Sequence, residues 1–214
     1  ATTGASIPGV DKPIYVRESV ARKLADINAF LASPEVTKFF GGTVEAYVEE
    51  GLRSTDMQSS LYHQLIPNSI RRHNPDLQED DIHKRRDEII AKPSTTDNPS
   101  PHATGGAIDI RLRAKPSPWT PDFVADSFID MGHVDGDTGQ RNNPDYFEQT
   151  TLLADENITA QRNRRFLYNL LTAYGFTVNP HEWWHFDYGN QLWAFVQNYQ
   201  LGKKAVQALF GAAG

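Results

Sequence analysis

The chain has 214 residues, with 21 Lys+Arg against 27 Asp+Glu, a formal net charge of −6, and no cysteine. That length suits one compact domain with a full hydrophobic core, while the acidic balance offers phosphate backbones no broad basic surface and so argues against nucleic acid as a partner. Disulfides, thiolate metal sites and a cysteine nucleophile are excluded, and no apolar run reaches the length of a membrane span.

Residues 1–16 hold Gly, Pro and Thr with little periodicity and read as an arm on the surface of a single domain over 17–214. Val20, Leu24, Ile27 and Leu31 recur at helical spacing across 18–33, where Pro34 ends the pattern. Val44, Ala46 and Val48 alternate with Glu45, Tyr47 and Glu49 as in a half-buried strand, which runs into Gly51-Leu52-Arg53 and leaves Arg53 at its end. Helices are predicted over 55–65 and, with alternating charge and a solvated surface, over 77–91. Residues 93–101 (PSTTDNPSP) form a loop by composition. In the predicted strand 107–112, Ile108, Ile110 and Leu112 share one face, with Ala107, Asp109 and Arg111 on the other.

Residues 115–156 are irregular and rich in Pro, Gly, Asp and Asn, and irregular stretches this long tend to be functional. A helix over 158–174 stops at Gly175, strands follow at 176–178 and 184–188, and a helix over 191–199 closes the chain. Strands and helices mix without βαβ alternation, so the expected class is α+β, a central antiparallel sheet flanked by helices.

Residues 179–189 read NPHEWWHFDYG and contain H-E-x-x-H, the spelling of the zincin helix. Pro180 and the aromatic run Trp183, Trp184, Phe186 and Tyr188 favour extended structure instead, and no third zincin ligand follows His185. Any further ligands must lie upstream. Ser100-Pro101-His102-Ala103-Thr104-Gly105-Gly106-Ala107-Ile108-Asp109 supplies them: His102 in the loop and Asp109 in the strand converge across the two glycines, and small Ala107 leaves room on Asp109's face. His102, Asp109 and His185 make three ligands with an open fourth position, the pattern of a catalytic zinc site. In a regular strand residues 182 and 185 would face opposite ways, so a turn or bulge is predicted between Glu182 and His185.

S-x-H-x-x-G-x-A-x-D followed much later by E-W-W-H resembles the zinc D-alanyl-D-alanine dipeptidases of the VanX type, within the wider D-Ala-D-Ala metallopeptidase and hedgehog-like fold. The resemblance spans residues 43–194 and takes in the arginine-rich run Ala160-Gln161-Arg162-Asn163-Arg164-Arg165. It implies one zinc ion per chain on His102, Asp109 and His185, with Glu182 as general base toward zinc-activated water and His181 a bystander. It further implies Arg53 as the arginine that meets the substrate and stabilises the oxyanion, and Ser100 as a substrate-binding serine. The family's M-G-T-x-F-D loop, whose aspartate receives the dipeptide amine, corresponds to Met131-Gly132-His133-Val134-Asp135, which lacks the aromatic and is one residue short. Asp135 is the candidate there, with Asp137 close behind, and strict dipeptide preference is not implied.

The expected partner is therefore a small peptide of the D-Ala-D-Ala class from cell-wall turnover, with longer peptidoglycan stems or a non-catalytic zinc module as alternatives. A start without methionine suits an exported chain after signal removal and suits a trimmed one equally; the cell envelope is the expected location. His63, His73 and His83 read as surface residues, Arg162, Arg164 and Arg165 as a structural ion-pair face, and Trp183 and Trp184 as core on either side of the strand.

Overall fold

The computed structural model describes residues 2–5, 13–93, 98–115, 127–134, 139–149, 155–199, 202 and 205–213. The chain opens with two antiparallel strands, β1 (Thr2–Ala5) and β2 (Ile14–Arg17), in a register that sets Thr2 opposite Arg17. The stretch read as an arm thus ends in a paired strand. Backbone pairing and the burial of Val16, 2% exposed, organise it, so side-chain alternation could not reveal it.

Helix α1 (Glu18–Leu31) buries Val20, Leu24, Ile27 and Leu31, the predicted stripe. Pro34 both ends that pattern and opens α2 (Pro34–Phe40), because a proline in the first turn gives up an N–H that has no helical acceptor. Strand β3 (Val44–Glu50) leads to α3 (Thr55–Ser60), a π-helical turn (Leu61–Leu65), α4 (Ile66–His73) and α5 (Glu79–Ile89). The helix predicted over 55–65 therefore runs on past Pro67. The wider turn, in which Ile66 N–H reaches Leu61 O, accommodates a residue that cannot donate to the turn before it.

Strand β4 (Ala107–Ala114) is followed within the irregular region by α6 (Tyr146–Gln149), and then by α7 (Asp155–Ala173), β5 (Thr177–Asn179), β6 (Glu182–Asp187) and α8 (Gln191–Tyr199). Gly175 adopts φ +86° just past α7, the left-handed stop expected of it. The strands form a four-stranded antiparallel sheet in the order β3-β4-β6-β5, an α+β architecture. No helix among the described residues is long and apolar enough to cross a membrane.

The two faces of this sheet have separate tasks. Val44, Ala46, Val48, Ile108, Ile110, Leu112 and Phe186 join the core with the α1 stripe and with Leu167, Leu170 and Leu171 of α7. The opposite face carries Asp109 from β4 and, paired with it across β6, His185.

Candidate active site

Asp109 stands directly opposite His185, and Ala107 opposite Asp187, in the β4–β6 register. Antiparallel partners share a face, so this pairing alone brings a carboxylate and an imidazole together. His102 arrives from the 3-10 turn Pro101–Thr104, which ends at Gly105 with φ +69°. Gly106 then passes so close to β6 that a Cβ there would lie 2.5 Å from Tyr188 O. Gly106→Ala is expected to cost about 1–3 kcal/mol, as overpacking against backbone does, read as a lower melting temperature in thermal denaturation.

Three donor atoms converge. His102 Nε2 lies 3.2 Å from His185 Nδ1, His185 Nδ1 lies 3.1 Å from Asp109 Oδ1, and His102 Nε2 lies 3.5 Å from Asp109 Oδ1. Ligands about 2.0–2.1 Å from a tetrahedral zinc are about 3.3 Å apart, so the residues present fit such an ion. Among the described residues these three form the group that could hold a metal. Each histidine has its other nitrogen committed: His102 Nδ1 is 2.8 Å from Gly51 O, and His185 Nε2 is 3.2 Å from Asp187 Oδ1.

Two of the three groups, Asp109 and His185, have strongly shifted protonation equilibria. Burial opposes a charged Asp109, but His102 and His185 overcome it and hold its pKa far below the usual carboxylate range. Burial likewise opposes an imidazolium at His185, yet Asp187 and Asp109 outweigh it and raise its pKa well above the ordinary histidine value.

The H-E-x-x-H stretch is a strand, not a zincin helix. Phe186 faces Val178 across β5–β6, while Glu182 already faces Asn179, so residues 183–185 have no counterpart on β5. This irregularity is the predicted break between Glu182 and His185. It lets Glu182 Oε2 come within 3.7 Å of His185 Nδ1, with Asn179 Nδ2 donating to the same oxygen at 3.0 Å. Burial raises the Glu182 pKa, and Asp109 adds to the rise against the opposing pull of His185, His102 and Arg53. His181 is exposed and lines the cleft beside Glu182.

Arg53 follows β3, where a bulge between Val48 and Glu50 sets Glu50 opposite Asp109. The Arg53 side chain is 10% exposed. Its Nε donates to Glu50 Oε1 at 2.6 Å, its Nη2 pairs with Glu50 Oε2, and its Nη1 donates to Gln58 Oε1 at 2.8 Å. Burial alone would lower the Arg53 pKa; Glu50, with Asp109 and Glu182 farther away, raises it instead. Arg53 N–H also bonds His102 O at 3.3 Å, which ties its loop to that of His102.

Ser100, 5% exposed, immediately precedes the turn bearing His102, and its carbonyl accepts from Ala103 N–H. Asp135 and Asp137 lie outside the described residues. Trp183 is buried, whereas Trp184 is half-buried and lines a cleft of about 850 Å3 beside Glu182, whose far wall includes Asp81, Lys84 and Arg85 of α5. His63, His73 and His83 are exposed, as read from their polar surroundings. Arg165 pairs with Glu148, but Arg164 is buried and donates to the carbonyls of Met131, Arg141 and Asn143, a clamp on the irregular region and not an ion-pair face.

Sequence reasoning missed Glu50, Gln58, Asn179 and Asp187. Glu50 and Gln58 sit three residues before and five after Arg53, a local acid and amide that a search for its partners could have found. Asn179 meets Glu182 through strand register, and Asp187 meets His185 as its second neighbour along β6.

Residues 48–204 match the family model Peptidase_M15, described as D-ala-D-ala dipeptidase. A D-alanyl-D-alanine dipeptidase of Synechocystis sp. is 32% identical over 126 residues, 56% of this chain and 47% of that protein, so the match spans about half the length of the curated relative. Two solved structures are similar at lower identity. VanYB in complex with D-Alanine-D-Alanine shows 15% identity and a TM-score of 0.47, over 94% of this chain and 85% of its own. The vancomycin resistance D,D-pentapeptidase VanY in complex with Zn(II) shows 14% and 0.41, over 92% and 85%.

Proposed function

Because the chain belongs to the D-ala-D-ala dipeptidase family, we propose that it is a zinc peptidase that hydrolyses D-alanyl-D-alanine, or a similar D-amino-acid dipeptide, in cell-wall metabolism. The observation that carries this reading is the convergence of His102, Asp109 and His185 at tetrahedral ligand spacing beside Glu182. His102, Asp109 and His185 would hold one zinc ion per chain, which would supply Lewis acidity toward the scissile carbonyl and lower the pKa of a bound water toward about 7.

The chain's own groups do the rest. Glu182 accepts a proton from the attacking water as its oxygen bonds to the carbonyl carbon, then delivers that proton to the amide nitrogen as the C–N bond breaks. A carboxylate with a raised pKa suits both halves of that exchange. Asn179, hydrogen-bonded to Oε2, orients it. Of the five N–H groups of Arg53, three are engaged by Glu50 and Gln58, which leaves one on each terminal nitrogen for the oxyanion. Ser100 is assigned to substrate binding and Asp135 to the substrate amine. The engagement of Glu182 and Arg53 in one site speaks against a non-catalytic zinc module.

The test is hydrolysis of D-Ala-D-Ala, with and without chelator. Cleavage that stops on chelation and returns with zinc is expected; no zinc-dependent cleavage would discredit the enzyme assignment.

The cleft beside Glu182 favours a second reading, a peptidase for longer stem peptides. At about 850 Å3 it lies near the upper end of the roughly 300–1,000 Å3 of small-molecule pockets, more than a dipeptide occupies. Its wall offers both signs of charge, Asp81 beside Lys84 and Arg85. An N-acylated tripeptide ending in D-Ala-D-Ala separates the readings. Cleavage of the free dipeptide alone is the dipeptidase result, and a higher kcat/KM on the blocked tripeptide is the result for the longer-substrate reading.

A further inference from the structure

We propose that Asp187 is a positioning residue for the metal centre, holding the His185 ring so that Nδ1, and not Nε2, serves as ligand atom. The inference rests on the zinc reading above. Asp187 is 0% exposed and lies two residues along β6 from His185, hence on the same face of the sheet. Its Oδ1 is 3.2 Å from His185 Nε2 and also accepts from Asn190 Nδ2. The other ring nitrogen, Nδ1, is the atom that faces His102 Nε2, Asp109 Oδ1 and Glu182 Oε2.

The torsion that turns an imidazole ring is broad and roughly two-fold. A half-turn of His185 would put Cδ2 toward the other ligands and Cε1 toward Asp187. Beside the contact of Nδ1 with Asp109, the acceptor for the Nε2 proton is what separates these orientations, and Asp187 supplies it. Small Ala107, opposite Asp187 on β4, leaves the carboxylate room, while Thr177 faces it from β5. A carboxylate on the second nitrogen of a ligating histidine fixes the tautomer and strengthens the nitrogen as a donor. His102 is oriented by different means, a backbone carbonyl at Gly51, and so presents Nε2.

A purely structural role is the rival account. Asn190 Oδ1 accepts from Trp193 N–H at the start of α8, so Asp187 could serve only to anchor that helix. The two accounts part on zinc affinity, measured by competition with a chromophoric chelator, with thermal denaturation of the zinc-free proteins alongside. Asp187→Ala is expected to bind zinc about 10- to 100-fold more weakly than the parent. Asp187→Asn should fall between the two, because an amide oxygen still accepts but carries no charge; it also covers failure of the alanine variant to fold. Asn190→Ala should lower the melting temperature with a smaller change in affinity.

Long-range 1H–15N spectra of the zinc-loaded parent supply the second readout, expected to show His185 metal-bound at Nδ1 with its proton on Nε2. Parent-like zinc affinity in a folded Asp187→Asn or Asp187→Ala variant, or a metal-bound Nε2 at His185, overturns the proposal. If the parent itself binds no zinc, the zinc reading falls and this inference falls with it; if the parent binds zinc and the variants match it, only the inference falls.

Discussion

Glu182→Gln is expected to lower kcat/KM on D-Ala-D-Ala by about 100- to 10,000-fold, the usual worth of a positioned general base, with zinc content unchanged. The amide keeps the shape of the carboxylate and can still meet Asn179 Nδ2 through its oxygen, so strand packing is preserved. What is lost is the ability to take up a proton and return it. Glu182 is not among the three converging donor atoms, which is why metal content should survive. Steady-state kinetics together with metal analysis of the same sample make the test. Parent-like turnover would remove Glu182 from the mechanism, whereas loss of zinc along with activity would make it a ligand instead.

Arg53→Met should cost about 100- to 1,000-fold in kcat, the penalty for removing one fixed oxyanion donor, with a smaller change in KM. The substitution has a side effect that must be separated from the chemistry. Glu50, opposite Asp109 in the bulged β3–β4 register, would lose its cation and leave two carboxylates facing one another. The double variant Arg53→Met, Glu50→Gln removes that repulsion. If the kinetic loss persists there, Arg53 acts on the substrate; if activity returns, its task was to neutralise Glu50.

Arg53→Lys is expected to rescue little. A single ammonium cannot grip Glu50 side-on while presenting further N–H groups. Unchanged kcat in the methionine variant would end the oxyanion assignment.

Much of the fold is legible because burial leaves a period in the sequence. The α1 stripe Val20, Leu24, Ile27 and Leu31 recurs at helical spacing, and Ile108, Ile110 and Leu112 alternate along β4; both patterns are found on the core side of the structure. The β1–β2 ribbon left no such mark, since pairing of backbone groups is blind to side-chain type. The continuation of α4 beyond Pro67 was hidden for a related reason. Proline signals a lost hydrogen bond, but only the surrounding helix decides whether a wider turn absorbs it.

The site divides in the same way. Residue chemistry and spacing pointed to His102, Asp109 and His185, and the family resemblance added Glu182, because metal ligation and proton transfer admit few side chains and these four stand in short, recognisable motifs. The sequence also argued against a zincin helix and for a break after Glu182, since Pro180 and a run of aromatics disfavour helix whatever the tertiary context.

Tertiary structure alone decided how those residues are held. Tyr15 O accepts from Leu52 N–H, Arg17 N–H and Nε reach Gly105 O and Thr104 O, and Ala213 N–H reaches Ala103 O, so both ends of the chain brace the loops that carry Arg53 and His102. Asn179 meets Glu182 and Asp187 meets Ala107 and Thr177 only through the register of paired strands. The physical reason is that a ligand's identity is a local property written in one side chain, whereas its orientation depends on backbone hydrogen bonds between segments distant in sequence, which any residue but proline can make.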